Sequence, residues 1–116
     1  LQTLAKGRAD EKNYGLNPKT ELPFLALLKR ELYGTQALQD LQETDLSRLL
    51  ATTNDILEIV HRETRQVDFW ENFPAQKRLK SFVLTHLLMN FRDKPEFMRN
   101  RNQVAQKIIE LAMHIR

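Results

Sequence analysis

The chain has 116 residues, 41% of them hydrophobic and 28% charged, with a net charge of +3. That length supports one hydrophobic core rather than two, and the balance is that of a globular domain rather than a disordered tail. Cysteine is absent, which excludes a disulfide framework and thiolate metal sites and points to a cytoplasmic setting, while no apolar run approaches the ~18 residues of a membrane span.

Residues 1–19 are polar, carry Gly7, Gly15 and Pro18, and show no helical period. They read as an extended arm or linker, ahead of one helical domain over 20–116. Leu1 to Arg8 lack the apolar centre of a signal peptide. The chain starts without Met, and an excised piece of a longer protein is expected.

A first helix is expected over 20–33. Thr20 suits its cap, Pro23 is tolerated in its first turn, and Phe24, Leu27, Leu28 and Glu31, with neighbouring Leu25 and Leu32, keep a 3.6-residue period. Gly34 fits the residue just past its end. Residues 35–43 are polar apart from Leu38 and Leu41 and read as a loop or one short turn. A second helix over 44–65 starts at Thr44 or Asp45. Leu46, Leu49, Leu50, Thr53, Ile56, Leu57 and Val60 form one stripe, which passes without a phase shift through the weak helix formers Thr52-Thr53-Asn54.

The stretch Val67-Asp68-Phe69-Trp70-Glu71-Asn72-Phe73-Pro74 organises the rest. It holds the only Trp and two of the six Phe. Each of these rings buries ~150–250 Å² when packed, so Phe69, Trp70 and Phe73 are expected in the core. Asp68 and Glu71 have the spacing of a cap with a reciprocal acid, and Pro74 belongs in a first helical turn. A single turn at 68–72 and a third helix over 73–91 follow, with Leu79, Phe82, Val83, His86 and Leu87 facing inward. Pro95 is expected to stop any continuation. A last helix over 99–115 carries Val104, Ala105, Ile108, Leu111, Ala112 and Ile115 on one face. With no strand signal and no repeat, the expected fold is all-α: a compact bundle of about four main helices.

Signs of chemistry are few. The three glycines form no phosphate-cradling loop. His61, His86 and His114 are too far apart in sequence for a local metal box, and His86 suits a core position. Asp10-Glu11-Lys12 resembles the acid-x-Lys end of a metal-dependent nuclease, but no acid precedes it and no strand would hold it. No catalytic, cofactor-binding or metal-ligating residue is expected. Charge is uneven: residues 1–61 hold 7 Lys/Arg and 9 Asp/Glu, and residues 62–116 hold 11 and 6. Lys77, Arg78 and Lys80, with Arg92, Lys94, Arg99 and Arg101, are the candidate contacts to DNA or a protein partner. Phe69 and Trp70 could stack on bases, but aromatics between two amphipathic helices are more often core.

The run from Thr53 to Asn72, Thr-Asn-Asp-Ile-Leu-Glu-Ile-Val-His-Arg-Glu-Thr-Arg-Gln-Val-Asp-Phe-Trp-Glu-Asn, resembles the C-terminal region of the R (restriction and motor) subunit of type I restriction–modification enzymes. In that family an amphipathic helix leads into an Asp-Phe-Trp-x-Asn element. A helix matched here by Ala75, Leu79 and Val83 follows, and then a helix matched by Ala105, Leu111 and Ala112. The Thr20–Leu28 segment is similar to the preceding helix, so the likeness covers roughly 20–115. It implies a parent that is an ATP-dependent, Mg²⁺-requiring site-specific deoxyribonuclease acting on double-stranded DNA. This non-catalytic part, itself without cofactor, would dock the motor onto the methyltransferase and specificity subunits, away from any membrane. The connection 92–101 is more basic than the family pattern. It motivates the alternative, a helical nucleic-acid-binding domain using the patch around 77–101.

Overall fold

The computed structural model describes residues 14–115. It is all-helical: α1 (Leu22–Tyr33), α2 (Glu43–Thr64), α3 (Phe73–Phe91) and α4 (Pro95–Ile115), with single 3₁₀ turns at Leu38–Asp40 and Phe69–Glu71. No strand occurs among the described residues. Most of the expected arm, residues 1–13, lies outside the described residues; within its remainder Leu16 is already buried in the core.

Thr20 does not cap α1. The N-cap of that helix, Glu21, makes no side-chain cap bond either, and the chain enters the helix through a turn built on Asn17, whose short amide reaches backbone donors two and three residues on. Its Oδ1 accepts from the N–H groups of Lys19 (2.9 Å) and Thr20 (3.2 Å), and its carbonyl accepts from those of Glu21 and Leu22. The Glu21 carboxylate accepts in return from the Asn17 N–H at 2.9 Å. Phe24, Leu25, Leu27, Leu28 and Leu32 are buried along α1. Gly34 ends the helix at φ 69°, where a side chain would be strained, and its N–H reaches the Arg30 carbonyl.

The second helix runs unbroken through Thr52 and Thr53, both fully inside. Their hydroxyls donate to the carbonyls of Arg48 and Leu49, each at 2.8 Å. Two buried polar groups are thereby satisfied within their own helix, so the stripe pays no desolvation penalty there.

The third helix departs from expectation. Its buried row is Ala75, Leu79, Val83, Leu87 and Phe91. Steps of four residues turn ~40° past a full circle, so the row winds round the helix as it passes between α2 and α4. Phe82, expected inside, is left on the flank at 38% exposure, and His86 is half-buried beside it. Phe73, also expected inside, is 73% exposed. It is the first residue of the helix, and side chains lean toward the N-terminus, so its ring projects past the bundle's end.

Pro95 starts the last helix rather than delaying it. A proline at the first position loses no needed donor. The earlier start brings Phe97 into the core at 1% exposure. Consecutive helices pack side by side, and α1 also packs on α4, closing a ring of four. One end of the bundle gathers the start of α1, the end of α2, the start of α3 and the end of α4. The opposite end holds the α1–α2 and α3–α4 connections. No described helix is long and apolar enough to cross a membrane.

Candidate interaction surfaces

The α2–α3 connection is built as a rigid joint. Asp68 adopts the left-handed conformation (φ 61°, ψ 27°), which Asp tolerates better than most residues. In that conformation it does not cap the next helix; the expected Asp68–Glu71 cap is absent. Asn72 caps α3, its Oδ1 accepting from the Ala75 N–H at 3.1 Å, with Pro74 in the first turn. The Gln76 amide donates to the carbonyls of Phe69 (3.3 Å) and Trp70 (2.8 Å) and ties the turn to the helix.

Between these anchors Phe69 is buried at 2% exposure, edge-on to Trp70 with ring centroids 4.8 Å apart. Trp70 is half-buried, and its outer part walls an apolar groove of about 350 Å³. Phe24, Val60 and Ile115 line the groove, with Thr20 and His61 among its polar residues. His61 Nε2 lies 3.7 Å from the Glu21 carboxylate. Val67 is 82% exposed and Phe73 73%, and neither lines the groove.

The basic candidates do not form one patch. Lys77, Arg78 and Lys80 sit near the start of α3, and Arg92 follows its end, ~18 Å along the axis from Lys80. Arg78 is held by Glu63 and Gln66, each at 3.3 Å. Lys80 is half-buried in a cleft against Gln103 and Gln106 of α4. Lys94 lies 4.1 Å above the Tyr33 ring, and the Arg101 guanidinium donates to the Met98 carbonyl. Arg92, Arg99 and Arg101 are exposed, and no ion pair is formed by any of them among the described residues.

The most connected charge is Arg48, which sequence reasoning missed. Its guanidinium donates to the Asn90 carbonyl (3.1 Å), Asp93 (2.8 Å), the Tyr33 hydroxyl (3.3 Å) and Asp45 (3.4 Å), and lies 4.7 Å from the centre of the Phe91 ring. It fastens α2 to the ends of α1 and α3. Its hydrogen bond holds the Asp93 carboxyl below the usual carboxylate range, and burial pushes the Tyr33 hydroxyl up. Only the Asp45–Arg48 spacing was legible; the partners at 33, 90 and 93 are far away in sequence.

Among the described residues no three His, Asp or Glu side chains are grouped to hold a metal ion. His86 shares a shallow cleft with Asp55, Glu58 and Arg62. No family model, curated protein or solved structure matches this chain.

Proposed function

We propose that this chain is a non-catalytic, cytoplasmic docking domain resembling the C-terminal part of a type I restriction R subunit. In this role it holds an ATP-dependent DNA translocase and nuclease on the methyltransferase and specificity subunits, and the parent's ATP and Mg²⁺ chemistry lies elsewhere. The observation that carries the proposal is the double use of the Asp68-Phe69-Trp70-x-Asn72 element, the signature of the resemblance. Phe69 locks the joint into the core, while Trp70 leaves part of its ring as the wall of an apolar groove. Trp is enriched among the residues that carry most of the energy of protein–protein binding, which supports reading Trp70 as an anchor for a protein partner.

The test is a titration of the full chain against the purified methyltransferase–specificity core. Thr20→Arg and His61→Arg alter exposed residues lining the groove, the second keeping a donor beside Glu21, and each is expected to weaken binding at least tenfold without lowering the melting temperature. Unchanged affinity in both variants would refute docking through the groove. A second function, nucleic-acid binding, is favoured by one observation: Arg92, Arg99 and Arg101 are exposed near one end with no acid paired to them among the described residues. It would require a DNA affinity that falls steeply with salt and is lost when the three are changed to Ala.

A further inference from the structure

The apolar groove lies within reach of the part of the chain that precedes the described residues. Its wall includes Thr20. Tyr14, the first described residue, comes six residues earlier and packs against the core, and Leu16 between them is buried. Six residues span at most ~22 Å, and the ten residues from Tyr14 back to Leu4 span at most ~36 Å. The second length exceeds the first, so the segment 1–5 can reach the groove from wherever Tyr14 stands.

The chemistry of that segment matches the groove. Leu1, Leu4 and Ala5 are apolar, whereas residues 6–13 are polar apart from Gly7 and Ala9. Phe24, Val60, Trp70 and Ile115 give the groove an apolar wall, which is costly to leave against water. Beside it stands the Glu21 carboxylate, 3.7 Å from His61, and no Lys or Arg is paired with Glu21 among the described residues. Lys6 and Arg8 follow Leu4 and Ala5 closely and bring the complementary charge. The tether decides between occupants. A segment joined by a short linker acts at an effective concentration on the order of millimolar, which a second copy of the chain at micromolar concentration does not reach. We propose that the segment 1–5 of this chain docks in its own groove beside Trp70, with Leu1 and Leu4 against the apolar wall and Lys6 toward Glu21.

A partner that docks through the groove must displace this segment. That consequence rests on the docking proposal, whereas the contact within the chain is tested on the chain alone, so either can fail without the other. Trp70 is the only Trp and walls the groove, so its fluorescence reports the contact. The full chain is compared with three variants. Leu1→Asp with Leu4→Asp places charge on the apolar segment, Leu1→Ser with Leu4→Ser removes the apolar groups without adding charge, and Ala9→Asp is the control. At low micromolar concentration both double variants are expected to shift Trp70 emission to longer wavelength and to steepen its quenching by acrylamide, while the control matches the parent. None of the three positions lies in a described helix, so far-ultraviolet dichroism is expected to be unchanged, and the serine pair decides if the aspartate pair loses helix. Emission and quenching that are the same in the parent and the serine pair overturn the proposal, because the groove is then empty in the isolated chain. A control that changes as much as the double variants overturns it too, as does a parent whose Trp70 becomes protected only as concentration rises, because a second copy then supplies the segment.

Discussion

Phe69→Ala and Phe73→Ala form a matched pair. The two rings are four residues apart, and from sequence both belong in the core. In the folded chain Phe69 is 2% exposed and packs edge-on to Trp70, whereas Phe73 is 73% exposed. Truncating a buried Phe costs about 3–5 kcal/mol, which includes the cavity left behind. A domain of this size has only about 5–15 kcal/mol of net stability. At ~4–8 °C per kcal/mol for a domain of roughly 100 residues, Phe69→Ala is expected to melt at least ~12 °C below the parent. Phe73→Ala is a surface change and should stay within about 0.5 kcal/mol, a shift of a few degrees at most. The assay is thermal unfolding followed by far-ultraviolet dichroism. Equal losses in the two variants would refute the assignment of Phe69 as the inner ring and Phe73 as the outer one.

Asn72→Ala removes the only side-chain cap on α3 and is expected to cost about 1 kcal/mol, read as a lowered urea midpoint with unchanged slope; an unchanged midpoint would contradict the Asn72–Ala75 hydrogen bond. Arg48→Met keeps an unbranched apolar side chain but removes the guanidinium, with its bonds to Tyr33, Asp45, Asn90 and Asp93 and its contact with the Phe91 ring, at an expected cost of about 1–3 kcal/mol, because part of each bond is screened by water. The Asp93 carboxyl is held below its ordinary range when folded, so its share of stability is present above pH ~4 and is lost as pH falls through the folded value. The loss is small at an exposed carboxylate. An acid-unfolding profile in which the parent and Asp93→Asn lose stability in parallel below pH 4 would contradict it.

Element types and most boundaries were legible because they depend on local signals. Gly34 and Pro74 fall where helix termini require them, and the α2 stripe carried correctly through two threonines whose hydroxyls turn back on their own helix. Residues were misplaced where the outcome depended on neighbouring helices. A fixed inward face over Phe82 and His86 ignores the winding of the buried row, which only the positions of α2 and α4 determine. Asp68 and Asn72 are both good caps in isolation; the left-handed turn at Asp68 removed it from the choice. Pro95 reads equally as a stop for one helix or the start of the next, and the burial of Phe97 decided for the start. The groove and the Arg48 cluster each join segments far apart in the chain, so no spacing within one helix could have revealed them.

The ring of four helices also has a kinetic consequence. Three of its four contacts join helices that follow one another, so their loops are short and inexpensive to close. The fourth, between α1 and α4, joins the first and last described helices and includes the ion pair of Glu31 with Lys107. Mostly local contacts imply fast folding, in the microsecond-to-millisecond range typical of helical bundles. The α1–α4 seam carries the largest entropy of closure and is the contact expected to form last. Weakening it should speed unfolding while leaving the folding rate nearly unchanged, whereas weakening the α2–α3 joint should slow folding itself.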